Sequence, residues 1–464
     1  MSRAQSCLKA ISECLASNHH TRTVALRLRS ISLVLSRRFL PINFFNIRTA
    51  RMRRIGRLNV VRNRLLSTYK DSDVVVVGMA RSPMTKLGGS LSSLSAPRLG
   101  SQMITAALSR SGLDKKYIEE AYMGNVVSAG VGQAPTRQAV IYAGLGVDVP
   151  CTTINKVCAS GMKALMMASQ SISSGYRSAM IAGGMESMSN IPYYLPGART
   201  GYRLGNGNVV DGIIHDGLWD VYNNQHMGMC GEKCAKDFKI SREAQDDFAI
   251  SSYERAAAAW KSGKFALEVA PVTVEGKKGE KPTIISVDEE FTNVKTDKVR
   301  SLRPAFQKDG TVTAANASKI NDGATAFVAV SGKLCKELKL TPLFKIRGFG
   351  DAARDPVEFT IAPSDAVPRA LKHAGVSLGD IQYHEINEAF SVVALANAQL
   401  MKLDLAKVNV HGGAVALGHP LGSSGARIVA TLYGVLKAND ATLGCASICN
   451  GGGGASAIVI ERLS

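Results

Sequence analysis

The sequence predicts an α/β protein in which one unit occurs twice, and three features predict it. Residues 73–78 read Asp-Val-Val-Val-Val-Gly, a continuous apolar run that suits a strand covered on both faces. Strand and helix patterns then alternate to about Gly184, as in a parallel or mixed sheet. Residues 106–118, Ala-Ala-Leu-Ser-Arg-Ser-Gly-Leu-Asp-Lys-Lys-Tyr-Ile, return as Arg-Ala-Leu-Lys-His-Ala-Gly-Val-Ser-Leu-Gly-Asp-Ile at 369–381, with Gly112 and Gly375 offset by 263. Two copies of one α/β unit whose turns face a shared site is the simplest inference.

The chain has 464 residues, 45% hydrophobic and 20% charged, enough to bury a large core across two or three domains. Its net charge of +19 suggests a nucleic-acid binder until the charge is located. Residues 1–70 hold 15 Lys and Arg against one acid, Glu13, so +14 lies there and only +5 in the body. A mildly basic body fits an anionic small ligand better than a nucleic acid. The first seventy residues are rich in Arg and Ser, with Leu, Ile and Val interspersed, the profile of a mitochondrial transit segment. The expected removal point is around 66–70, and Met52 opens a shorter version that would itself serve. A basic arm for RNA competes, but aromatic residues for stacking are sparse. A peroxisomal signal competes through the spacing of Arg57-Leu58 and Arg64-Leu65, although Arg64 stands where His or Gln is expected and the terminal Arg-Leu-Ser is not Ser-Lys-Leu. Cytoplasmic residence is the other alternative.

The body divides by pattern. Residues 71–190 form a first half, with a helix at about 98–111 and a strand near Tyr122. Residues 191–311 are richer in Tyr, Asn, Asp and Lys, with a helix expected over 241–261, and read as an inserted ligand-binding lobe. The Ala-rich stretch 312–338 returns to the first half, and 339–464 is the second copy, ending in a strand at 457–461. No apolar run approaches the roughly 18–20 residues that span a bilayer. Nine Cys show no pairing logic: Cys230/Cys234 and Cys445/Cys449 are each four apart, yet no further ligands complete a zinc set. Unpaired thiols suit a reducing compartment.

Four stretches carry chemistry. A β-branched run through Ile154 meets Cys158 and then Ala159, Ser160 and Gly161, followed by the helical pattern Met162, Leu165, Met166, Ile172. Cys158 therefore sits at a strand-to-helix turn, where a helix dipole is expected to favour thiolate over thiol. A lone Cys is more often a buried structural residue. Asn387-Glu388-Ala389-Phe390 follows a short strand. Gly418-His419-Pro420 lies in a glycine-dense turn, and Cys449-Asn450-Gly451 opens a glycine run before the last strand. Carbon–carbon bond formation between thioesters needs a nucleophile for one acyl group, a base for the α-proton of the other, and two sites for oxygen charge. Two cysteines and one His meet that need, and the glycines after Cys449 leave backbone N–H groups free to point at an oxyanion.

With these four motifs the chain, from about 72 to 460, resembles the thiolase family. The resemblance implies a five-layered αβαβα fold of two similar halves with an inserted loop domain, usually a homotetramer built as a dimer of dimers. It implies an acyltransferase that condenses two acetyl-CoA to acetoacetyl-CoA, or cleaves it, with coenzyme A thioesters as substrates and no organic prosthetic group. A broad-range 3-ketoacyl-CoA thiolase is the nearest alternative. By the resemblance Cys158 is acetylated, His419 accepts its proton and helps bind the thioester oxygen, and Asn387 holds a water in the same oxyanion hole. Cys449 moves the α-proton, and the N–H groups of Cys158 and Gly451 form the second hole. His226 and Met227 match the acyl-pocket pair of short-chain members. Tyr222, Asn293, Val294, Lys295, Lys298 and Ser318 match coenzyme A positions, with Asn293 and Lys295 departing from the residues that relatives carry. Tyr222, Ala314, Ala315, Ala317 and Val415 match potassium-binding positions.

Overall fold

The computed structural model describes residues 69–277 and 279–464. All but the last two residues of the basic segment 1–70, and with them its reading as a transit segment, lie outside the described residues.

The first half runs β1 (Val74–Arg81), α1 (Ala96–Ser111), β2 (Glu120–Gly124), α2 (Pro135–Tyr142), β3 (Cys151–Ile154), α3 (Ser160–Ser173) and β4 (Ala179–Ser187). The inserted region carries α4 (Met227–Asp237) and α5 (Arg242–Lys261), and the chain returns through β5 (Asn321–Ser331). The second half runs β6 (Phe344–Ala353), α6 (Pro363–Ala374), β7 (Tyr383–Ile386), α7 (Ser391–Met401), α8 (Leu421–Ala438), β8 (Leu443–Asn450) and β9 (Gly454–Arg462).

Local sequence explains most boundaries. In α1, Pro97 sits in the first turn and Gly112 ends the helix in the left-handed region at φ 68°. The second copy repeats both devices, with Pro363 in the first turn of α6 and Gly375 at φ 68°. The Ser241 side chain accepts from the N–H of Ala244 and starts α5, as the spacing predicts. β1 is buried at every position, as a strand covered on both faces must be.

Strand order is β7-β8-β9-β6-β1-β5-β4-β2-β3. Read outward from the β6/β1 seam, the two wings match: β9 and β5 pair antiparallel with their neighbours on both sides, and the outer pairs β7/β8 and β4/β2 are parallel. Both seam strands carry a register shift before a glycine, Val76/Gly78 and Ile346/Gly348. These glycines let α1 and α6 approach closely: a Cβ on Gly78 would lie 2.3 Å from the Ala107 carbonyl, and one on Gly348 2.4 Å from the Ala374 nitrogen.

The halves meet in the middle layer. α3 and α8 pack together, and one core joins Met162, Leu165 and Met166 of α3 to Ile428, Val429 and Leu432 of α8 and to strands of both wings. Outside, α1 and α2 cover the first wing through Leu99, Met103 and Val140, and α6 covers the second through Val367 and Leu371. The layers are thus helix, sheet, helix, sheet, helix, with the inserted region added to them.

Candidate active site

The contact between α3 and α8 is made by glycine. A Cβ on Gly161 would lie 2.8 Å from the Gly422 carbonyl, and one on Gly184 only 1.9 Å from it. The two helix starts therefore touch backbone to backbone, two residues after Cys158 in one half and after Pro420 in the other. This is the physical reason that turns from separate halves share one site.

Cys158 is held by a tight turn. Val157 adopts φ 47°, a left-handed conformation unfavourable for a β-branched residue, and its N–H donates to Asn155 Oδ1 at 3.0 Å. Ser160 Oγ accepts from the Lys156 N–H at 2.8 Å and donates to the Val157 carbonyl. Lys156 Nζ crosses to the second half, donating to Asp351 Oδ1 at 2.8 Å and the Ala455 carbonyl at 3.0 Å. The backbone N–H groups of Gly451 and of Cys158 itself favour the thiolate. Here one expectation is corrected. The helix dipole was expected to lower the thiol pKa, but burial pushes it up to about 12, with Glu186 adding to the rise. A surface dipole is worth about 0.3–1 kcal/mol, whereas full burial of a charge outweighs it by several-fold. The resting group is a thiol, so activation requires a base.

His419 has the form of that base. Ser424 Oγ lies 2.6 Å from Nδ1 and itself donates to the Pro420 carbonyl at 2.9 Å. The serine therefore accepts from Nδ1–H, which leaves the Nε2 lone pair free. Nε2 is buried with no partner among the described residues. Burial, and secondarily Arg427, pulls the imidazole down to about 3, so it is neutral. The His419 N–H donates to Asn321 Oδ1 at 3.0 Å, and a Cβ on Gly418, at φ 109°, would lie 2.5 Å from that side chain.

Cys449 ends β8. Burial raises its thiol well above the ordinary value, and the nearby Cys158 adds to the rise. Gly451 follows in a turn continued by Gly452 and Gly453 at φ 78° and 87°. A Cβ on Gly451 would lie 3.4 Å from the Met227 methyl and 3.5 Å from Val157. Asn387 follows β7, fully buried, with neither side-chain polar atom bonded among the described residues.

The inserted region covers this end. His226 caps α4, its Nδ1 accepting from the Gly228 N–H at 3.0 Å, and its ring stacks on Phe306 at 4.7 Å. Met227, Tyr222, Val157, Gly451 and Gly452 line one cavity of about 500 Å3. A second cavity, of about 330 Å3, is lined by Asn293, Val294, Lys295 and Lys298 together with Ala314 and Ala315. Ser318 donates its N–H to the Ala389 carbonyl at 3.0 Å, beside the Asn387 turn.

The residues expected to hold potassium do not fit it. Lys319 Nζ donates to the Ala314 carbonyl and, at 3.0 Å, to the Ala317 carbonyl. The Ala315 carbonyl accepts from Tyr253 Oη at 3.3 Å. Tyr222, 73% exposed, lines the first cavity rather than the one walled by Ala314 and Ala315. Val415 is buried in the short helix Ala414–Leu417, with its N–H on Glu388 Oε2 at 3.1 Å. A hard cation needs several converging free oxygens, and here a lysine ammonium already sits on two of them.

Three supporting residues escaped the sequence reading. Glu186, buried in β4, accepts from Asn125 Nδ2 and from the N–H groups of Val126, Val127 and Gly422, tying the α8 start to the first half. Asn321 and Ser424 orient His419. A carboxylate inside the apolar stretch 179–187 was a visible signal for Glu186; nothing local marks the other two.

Comparison with known proteins follows the same lines. The family model described as "Thiolase, N-terminal domain" matches residues 74–333, and "Thiolase, C-terminal domain" matches 340–462. The chain is 56% identical over 393 residues to "Acetyl-CoA acetyltransferase 1" of Arabidopsis thaliana, covering 84% of this chain and 95% of the relative. It is 53% identical over 393 residues to "Acetyl-CoA acetyltransferase, mitochondrial" of Rattus norvegicus, covering 84% and 92%. The Acat5 thiolase from Ascaris suum, solved in complex with coenzyme A, superposes with a TM-score of 0.80 at 46% identity, over 84% of this chain and all of that one.

Proposed function

The chain belongs to the thiolase family, and from that premise we propose that it moves an acetyl group between two acetyl-CoA molecules, giving acetoacetyl-CoA and free coenzyme A, and runs the reverse thiolysis. The observation that carries the proposal is the approach of the Cys158 turn to the turn after Cys449 in the other half: a Cβ on Gly451 would lie 3.5 Å from the Val157 side chain, and Val157, Gly451 and Gly452 line one cavity.

The steps balance with these groups alone. His419 Nε2 takes the Cys158 proton as the sulfur attacks the first thioester, and the N–H groups of Cys158 and Gly451 receive the oxyanion. Cys449, held protonated by burial, gives its proton to the departing coenzyme A sulfur and becomes a thiolate. That thiolate removes the α-proton of a second acetyl-CoA. The protonated His419 and a water on Asn387 bear the enolate oxygen. The carbanion attacks acetyl-Cys158, whose sulfur leaves and recovers its proton from His419. The cavity at Tyr222 and Met227 suits the acyl end, and the cavity at Asn293, Val294, Lys295 and Lys298 suits the anionic body of coenzyme A.

Thiolysis of acetoacetyl-CoA against longer 3-ketoacyl-CoA tests this. The expected result is a steep preference for the four-carbon substrate; equal rates across chain lengths overturn it in favour of the broad-range activity. The composition of residues 1–70 and the mitochondrial relatives support a mitochondrial matrix enzyme whose leader is removed around 66–70, and an intact Met1 on protein taken from the organelle refutes that removal. Homotetramer formation, implied by the family, is tested by light scattering.

A further inference from the structure

Among the described residues, Lys319 is the one basic side chain that donates to the carbonyls assigned to a potassium ion. Its Nζ donates to the carbonyls of Ala314 and Ala317, and its ammonium lies 5.7 Å from the centre of the Tyr253 ring, the same tyrosine whose hydroxyl takes the Ala315 carbonyl. One charge and one phenol thus close the Ala314–Ala315–Ala317 loop from inside. Ala314, Ala315 and Lys319 also wall the cavity that holds Asn293, Val294, Lys295 and Lys298. The charge reaches further. It acts on Glu290, whose Oε1 accepts from Asn321 Nδ2 at 3.0 Å, and Asn321 Oδ1 accepts the His419 N–H at 3.0 Å. A single cation therefore stands between the wall of the coenzyme A cavity and the backbone of the catalytic histidine.

A metal ion on the same carbonyls would sit beside a fixed positive charge and repel it. An ammonium matches potassium in charge and supplies donors directed at each oxygen, where a metal supplies none. We propose that Lys319 is a tethered cation that replaces potassium in this chain, and that it is a positioning residue for the substrate-binding wall and the His419 loop, so that the enzyme works without a monovalent metal.

Only the kinetic arm of the test rests on the acetyl-transfer reading. The full chain is measured in potassium, sodium and choline chloride at equal ionic strength, by thermal melting and by acetoacetyl-CoA thiolysis. The expected result is the same melting temperature and the same KM in all three. Lys319→Ala is expected to raise KM in choline roughly fivefold or more, the usual size of a coupling between two sites. Potassium, at the cavity the side chain vacated, then lowers that KM and raises the variant's melting temperature by binding the folded form. A saturable potassium effect on wild-type melting or KM overturns the proposal. So does a Lys319→Ala enzyme that is weakened but indifferent to potassium, which would mark an ordinary structural lysine. Melting behaviour as expected with no acetoacetyl-CoA turnover in any salt overturns the acetyl-transfer reading and leaves the cation assignment standing. The wild-type arm needs no variant to fold.

Discussion

The two halves of the body place equivalent residues at one site and use them differently. Strand register pairs Gly124 with Gly184 in one half and Ile386 with Ser447 in the other, so Asn125 corresponds to Asn387 and Glu186 to Cys449. The turns before α3 and α8 carry Cys158 and His419 at equivalent positions, each two residues before its helix. In the first half Asn125 Nδ2 donates to Glu186, which also accepts from backbone N–H groups, and both are spent on holding the turns. In the second half the Asn387 side chain has no partner among the described residues, and the buried Cys449 thiol feels Cys158 of the other half. Duplication supplied the scaffold twice; the chemistry came from satisfying polar groups in one copy and leaving them free in the other. Burial that is harmless for a bonded pair makes an unbonded one reactive.

Substitutions should separate the two roles. The largest effect is expected at Cys158: Cys158→Ala lowers kcat about 10^4-fold or more and carries no label from radioactive acetyl-CoA, while melting is little changed. Retained label on the variant would sink the nucleophile assignment. Next come the paired asparagines. Asn387→Ala should lower kcat about 10^2-fold, as loss of an oxyanion-site group does, with melting unchanged. Asn125→Ala should do the reverse, costing about 1–3 kcal/mol of stability by leaving buried Glu186 short of a donor, with kcat within a few-fold. If both variants lose activity alike, the division of labour between the halves is wrong. Ser424→Ala frees the tautomer of His419 and is expected to cost about tenfold in kcat, read against an unchanged KM.

The smallest effect is a pH slope. Burial, with Lys407 adding to it, pulls His384 on β7 from 6.5 down to about 4. A native histidine held neutral binds fewer protons than the unfolded one between those values, so its stabilising effect is complete above 6.5 and is lost as pH falls toward 4. His384→Gln should flatten the fall in melting temperature across that window; an unchanged slope places the acid sensitivity elsewhere.

Much of the fold was legible because local signals set it. The buried run of β1, the Ser241 cap, and the paired Gly112 and Gly375 each encode backbone geometry within a few residues. The repeat offset announced the second half, and the glycines around 158 and 419 announced turns where backbones approach. The proposed reacting residues were visible because each sits at or near the end of a regular element in its own motif.

What the sequence by itself determined is therefore the duplicated frame and the candidate groups it carries: strand and helix periods, caps and glycines act over short stretches of chain. Only the tertiary structure decided their state. Cys158 rests as a thiol, against the helix-dipole expectation, because residues distant in sequence exclude water from it. Lys319 holds the carbonyls assigned to a metal, and Glu186, Asn321 and Ser424 act on groups reached by folding rather than by spacing. Desolvation and long-range hydrogen bonds depend on everything packed around a group, and no local pattern carries that information.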